Sequence, residues 1–374
     1  MCDVPPAWRT TATIVTCGQD ERAHLMTKAQ PTEEHMTTLD KGGVTQGGDP
    51  TQSPPPPDDN QATLNRSVHH RVGDQVFRTL AVGSGFVVSL VIFLIAVFLL
   101  AQAIPSLAKN SENFFTYTGP WETSGDSLKF GIPQLFYATV VVSVIALLLA
   151  MPVALGISIF LTEYAPKRLV GPISYTVDLL AAVPSIVYGL WGILVLGPAL
   201  VPLNNWLVGN VGWLPFFQEP SQVANMSTGG TLLTGGIVLA VMILPIITAV
   251  TREVFTQTPV GHREAALALG ATKFEVVKIA VLPFGFSGYI SGAMLGLGRA
   301  LGETMALLLI ISTVGPMNFN LMESGETFAT KIANNAAEFD SPAKTGAYIS
   351  AGLTLFVLTF IVNAAARAVV AGRK

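Results

Sequence analysis

From Arg66 onward the chain alternates long apolar runs with short polar joints. A helix that crosses a bilayer core about 30 Å thick needs about 20 predominantly apolar residues. Six runs reach that length, at 79–104, 134–161, 172–201, 230–251, 285–313 and 346–370. Each predicts a membrane-spanning helix, and together they predict an all-α polytopic membrane protein. Pro152, Pro184 and Pro245 fall inside runs. At membrane depth the carbonyls they free must be satisfied by neighbours, which predicts a packed bundle with kinks. At Val183-Pro184-Ser185 the expected outcome is a kink, with the serine hydroxyl on a freed carbonyl.

Residues 1–62 carry no apolar period. They are rich in Thr, Gln, Asp, Gly and Pro and include the run Pro54 to Pro57. Such a segment buries too little apolar surface to offset its ordering entropy, so it reads as a disordered tail. It lacks the apolar core of a signal peptide. The expected organisation is therefore a cytoplasmic tail over 1–62 and a transmembrane domain over 63–374. Cys2 and Cys17 both lie in the tail, at a spacing that supports neither a disulfide framework nor a metal site.

Lys and Arg set the orientation, because short cytoplasmic joints concentrate them. Arg66, Arg71 and Arg78 precede the first run, and Lys167 and Arg168 follow the second. Arg252, Arg263, Lys273 and Lys278 follow the fourth, and Arg367, Arg373 and Lys374 close the chain. Residues 202–229 contain no Lys or Arg, and 314–345 pair Lys331 and Lys344 with Glu323, Glu326, Glu338 and Asp340. Both termini are thus expected in the cytoplasm. Trp121, Trp206 and Trp213, near the outer joints, read as interface anchors.

Composition agrees with this reading: 50% of residues are hydrophobic and 12% charged, against about 25% charged in a soluble domain. A net charge of −3 argues against a nucleic-acid partner. No G-x-x-x-x-G-K-[ST] occurs, so the chain has no P-loop, and any ATP-driven step would belong to another subunit. No cofactor is expected.

The joint between the fourth and fifth runs, about 258–283, has local structure of its own. Thr258-Pro259 suits a helix start, Ala265, Ala266 and Ala268 are strong helix formers, and Gly270 suits a helix end. Thr272 with Glu275 is a capping-box signature opening a second helix toward Pro283. Small residues on the first helix permit close approach by another protein surface. An ordinary amphipathic connector would read the same from helix pattern alone.

In the fifth run, Gly285, Gly288, Gly292, Gly296, Arg299, Glu303 and Ala306 fall on one stripe at 100° per residue. Gly292-x-x-x-Gly296 and Gly298-x-x-x-Gly302 permit close helix contact. A charge at the bilayer centre costs about 2.5–3.5 kcal/mol on insertion scales, so Arg299 and Glu303 are expected to face protein or water. One reading is an i,i+4 ion pair that only stabilises packing. The other places both on a substrate path, where the guanidinium fork suits a tetrahedral oxyanion and Glu303 holds it between passages.

The loop residues resemble the EAA motif of bacterial binding-protein-dependent ABC permeases: glutamate, two alanines, three residues, glycine, and a Leu-Pro ending. Glu264, Ala265, Ala266, Gly270 and Leu282-Pro283 match, and Ala280 stands where isoleucine is usual. That resemblance implies an ABC importer permease fold whose loop is a coupling helix docking into a cleft of a separate ATPase. Gly296 to Met305 and Val183 to Gly192 are similar, more narrowly, to the permeases of high-affinity phosphate importers. The Gly-Leu-Trp-Gly run favours the PstC type over its sister PstA type. The likeness spans about residues 70–374 and leaves the tail outside.

It implies half of a phosphate pathway in a prokaryotic inner membrane, with Arg299 and Glu303 on the path. The implied partners are a PstA-like permease, a dimer of PstB-like ATPases, a PstS-like phosphate-binding protein and membrane lipid. The chain itself would catalyse no covalent chemistry. The residues alone leave open another oxyanion, such as sulfate or molybdate. They also leave open an ion-coupled secondary transporter with Glu303 carrying protons.

Overall fold

The computed structural model describes residues 72–123, 128–221, 228–311 and 319–371; the tail predicted over 1–62 lies outside them. Among the described residues, six helices are long and apolar enough to cross a membrane: Gln75–Ala108, Pro133–Tyr164, Ser185–Val211, Leu232–Thr256, Lys273–Leu301 and Pro342–Ala368. Four of the six expected spans therefore lie close to where the apolar runs placed them. The third and fifth differ.

The elements in chain order are α1 (Val72–Ala108), α2 (Pro133–Ile159), which continues into a π-helical turn at Phe160–Tyr164, and α3 (Lys167–Ala182). There follow α4 (Ser185–Trp191), a π-helical turn at Gly192–Leu196, α5 (Gly197–Val211) and α6 (Leu232–Thr256). Next come α7 (Val260–Ala268), α8 (Lys273–Val276), a π-helical turn at Val277–Val281, α9 (Leu282–Leu301) and α10 (Met305–Ile310). The chain closes with α11 (Phe328–Asn334) and α12 (Pro342–Ala371). Among the described residues β-structure is confined to two isolated bridges, Asn110 with Leu128 and Glu122 with Lys129.

The core forms around α6. Val238, Leu239, Ile243 and Ile247 are fully buried there, as expected of a helix apolar on all sides. From α2, Ala146, Ala150 and Ala154 recur every fourth residue and are buried in the same cluster. Their small side chains form one face that lets the two backbones approach. Ser158 spans the contact, donating to the Thr248 carbonyl at 3.1 Å. On the other side α9 packs against α6 through its glycines. The first span is peripheral and lies along α12.

The third span is broken rather than kinked. Val183 (φ −64°, ψ 130°) and Pro184 (φ −58°, ψ 136°) are extended, so the run expected as one helix over 172–201 is divided between α3 and α4. Proline explains this: it disfavours the α region for the residue before it and has no N–H to donate. The Leu180 carbonyl accepts from the Tyr188 hydroxyl at 2.8 Å, a role expected of Ser185.

The fifth span begins and ends earlier than its apolar run. It is continuous from Lys273 to Leu301, so Pro283 does not end the loop's second helix. The π-helical turn just before it absorbs the proline, with the Leu282 N–H reaching back five residues to the Val277 carbonyl. On the outer side, Trp121 is not an interface anchor. It stacks on Tyr348 with ring centroids 5.5 Å apart, donates from Nε1 to the Gly131 carbonyl at 2.9 Å, and lies under the Lys331 ammonium. Trp206 and Trp213 are exposed, as an interface position requires.

Candidate functional site

Glycines fix the depth of Arg299. A Cβ on Gly296 would lie 3.0 Å from Cγ1 of Ile247 and 3.4 Å from Cβ of Ile243, and one on Gly292 would lie 3.2 Å from Cβ of Val250. Cβ atoms at Gly285 and Gly288 would run into Phe255 and Val254. The stripe from Gly285 to Gly296 thus faces α6, as the spacing predicts. Because Ile243 and Ile247 occupy the middle of Leu232–Thr256, Gly296 lies near the bilayer midplane. Arg299 is three residues further, about 4.5 Å outward along the helix. It remains within the membrane.

The stripe stops there. α9 ends at Leu301 with Gly302 at its C-cap, and the chain turns through Glu303 and Thr304 before α10. The expected Arg299–Glu303 ion pair requires an unbroken helix between them, and it does not form among the described residues. Glu303 is instead turned into the protein, 8% exposed, with Oε1 accepting from the Ala306 N–H at 3.0 Å. It satisfies one of the orphan donors that open α10. Gly302, expected as a packing position, is exposed, and a Cβ there would meet only the Gly298 carbonyl at 3.7 Å. Its place is at the helix end, so packing is left to Gly292 and Gly296.

Two broken spans meet beside Arg299. Helix α4 follows the break at Val183-Pro184 and α10 follows the break at Gly302–Thr304, and the two pack on each other. A Cβ on Gly189 would lie 2.7 Å from the Ala306 Cα, and one on Gly192 would lie 2.7 Å from Cδ1 of Ile310. These two glycines belong to the Gly-Leu-Trp-Gly run, whose packing role the sequence alone did not reveal. Arg299 is half-buried, and no carboxylate pairs with it among the described residues. Irregular backbone at membrane depth is tolerated only where it is buried in protein or lines a water-filled cavity. Arg299 is thus a cation without a carboxylate partner among the described residues, set beside two such breaks.

The second group of expected residues lies in the loop between spans four and five. The capping box of Thr272 and Glu275 forms, with Thr272 N–H to Glu275 Oε2 at 2.7 Å and Glu275 N–H to Thr272 Oγ1 at 3.4 Å. Gly270 adopts φ +84°, the left-handed turn that favours glycine. Glu264 and Ala265 are exposed, whereas Ala266 turns inward onto Val276 and Ala280. Ala280, smaller than the usual isoleucine, is part of this small core. Val260, Leu267, Leu269 and Phe274 remain exposed, Leu269 at 89% and Phe274 at 68%. No metal-binding group of three or more His, Cys, Asp or Glu occurs among the described residues.

The molecule thus combines six candidate membrane spans, an interior arginine beside two helix breaks, and exposed apolar residues on the loop that carries the EAA-like residues. The chain belongs to the family described as binding-protein-dependent transport system inner membrane component, whose family model matches residues 153–374. It is accordingly an ABC transporter permease subunit, of a bacterial inner membrane. Among its relatives is the Mycobacterium tuberculosis protein named phosphate transport system permease protein PstC 2, 55% identical over 305 residues, covering 81% of this chain and 93% of the relative. Another is phosphate transport system permease protein PstC of Mycobacterium leprae, 56% identical over 280 residues, covering 74% and 87%. A solved structure of the inward-facing MetNI methionine ABC transporter matches at TM-score 0.47 and 16% identity, covering 65% of this chain and 98% of that one.

Proposed function

We propose that this chain forms one half of the transmembrane pathway for inorganic phosphate in an ATP-driven importer. The observation that carries the proposal is Arg299, a cation in the membrane interior with no carboxylate partner among the described residues and broken helices on both sides. A guanidinium presents a planar fork of donors to a tetrahedral oxyanion and stays charged at all working pH values. The relatives' names supply the cargo.

The other half is a PstA-like permease, and the ATPases are a PstB-like pair that grip Glu264, Ala265 and the exposed apolar residues around Gly270. A PstS-like protein delivers phosphate at the outer face. Arg299 binds the passing ion weakly, because a pathway site must also release it. Glu303 keeps its carboxylate off the guanidinium by capping α10, which leaves the fork available. Gly292 and Gly296 hold the fifth span against the fourth, so that Arg299 is presented from a rigid element.

The test is phosphate uptake into liposomes holding this chain with its partner permease, ATPase and binding protein. Uptake should require ATP, resist excess sulfate, and fall by at least an order of magnitude in Arg299→Gln while the complex still assembles. A charge-assisted hydrogen bond of about 1.5–3 kcal/mol corresponds to about ten- to a hundredfold. Normal uptake in Arg299→Gln would remove the arginine from the pathway. Uptake without the ATPase would instead favour an ion-coupled carrier, and inhibition by sulfate would redirect the cargo.

A further inference from the structure

One side chain ties the loop to two membrane spans. Arg263, on α7, places Nη2 2.9 Å from Oε1 of Glu163 and donates from the same nitrogen to the Phe255 carbonyl at 2.8 Å. Glu163 belongs to the π-helical turn that finishes the second span, and Phe255 to the last turn of α6. The two side chains are 24% and 14% exposed. The Glu163 contact is an ion pair rather than an aligned hydrogen bond, and Arg263 Nε lacks a hydrogen-bond partner among the described residues. As a stabiliser such a pair is weak, since desolvation offsets most of its attraction. As a connector it has no substitute of the same kind among the described residues.

Residues 257–259 join α7 to the end of α6, and the remaining packing of α7 is apolar and goes elsewhere. Ala266 packs on Val276 and Ala280, which lead directly into the fifth span. Without Arg263, a force on α7 would reach the fifth span through that packing and the fourth through the chain itself, but not the second. With it, the cytoplasmic end of the second span moves as well. The π-helical turn at Phe160–Tyr164 fits this role, because its extra residue re-aims the side chains that follow, and such turns are frequent at functional sites.

We propose that Arg263 and Glu163 form a latch that transmits displacement of the coupling loop to the second span. Both are positioning residues for transport and touch neither nucleotide nor phosphate. The proposal rests on the reading of α7 and its surroundings as the ATPase-coupling loop.

The test uses the complete complex in liposomes, with ATP hydrolysis and phosphate uptake measured on the same preparation. In Glu163→Gln the docking surface is untouched, so hydrolysis continues, while phosphate moved per ATP falls about fivefold or more, the scale of a typical coupling between sites. Glu163→Asp, which keeps the charge, should recover part of the ratio. An unchanged ratio in Glu163→Gln overturns the latch. So does a fall in uptake matched by an equal fall in hydrolysis, which marks a contact needed only for folding or assembly. A wild-type complex whose uptake ignores ATP overturns the coupling reading itself, and the latch with it.

Discussion

Arg299 and Glu303 are four residues apart, and from spacing alone they share a helix face. The structure separates them, because the helix stops between them and the carboxylate is used as a cap. The distinction has a measurable consequence. Glu303→Ala leaves the buried Ala306 N–H without its acceptor, which costs about 1–3 kcal/mol, so thermal unfolding of the purified chain should shift to lower temperature. Glu303→Gln keeps an amide oxygen for that N–H and should unfold close to wild type. Equal destabilisation by both would mean that the charge, not the cap, is what the fold uses. The two residue types were legible in the sequence, since charges inside an apolar run stand out. The break was not. Gly302 and Thr304 look like ordinary members of an apolar helix, and only tertiary contact with α4 shows that the chain turns there. Glu163 and Arg263 were invisible as a pair because they stand a hundred positions apart in sequence and no local period links them.

At the scale of elements, four spans followed directly from the apolar runs, because length and hydropathy suffice to define a crossing helix. The other two depended on proline chemistry that a window average cannot resolve. Pro184 breaks the third span with two extended residues, whereas Pro283 is carried through the fifth by the π-helical turn just before it. Similar residues thus gave opposite results, and the neighbouring turns decided which. The outer connection before α12 was also illegible beyond its charge balance. There Glu338 accepts from the Tyr348 hydroxyl at 2.7 Å and from Asn335 Nδ2 at 2.9 Å. The tyrosine bond, then the asparagine bond, hold its carboxyl below the ordinary 4.5. A depressed carboxyl contributes stability that is complete above 4.5 and is lost as the pH falls through the folded-state value. Melting temperature should therefore drop on acidification below that point. Glu338→Gln should show a shallower drop, and a slope identical to wild type would exclude this contact as a source of it.

For the whole molecule, the loop surface proposed to dock the ATPase is formed by residues the core does not use. Leu269 is 89% exposed, and surface substitutions away from special features usually change stability by no more than about 0.5 kcal/mol. Leu269→Glu should thus leave the permease folded and paired while the ATPase no longer co-purifies. Retention of the ATPase would place the docking surface elsewhere. The helix that leaves this loop runs without interruption from Lys273 to Leu301. At 1.5 Å per residue, Arg299 stands about 39 Å from its cytoplasmic end. Treated as a stiff rod pivoting at that end, a tilt of about 5° sweeps the guanidinium through about 3.4 Å. That is further than the length of a hydrogen bond, so on the proposed pathway a small angular stroke below the membrane would be enough to make or break the grip on an ion above its midplane.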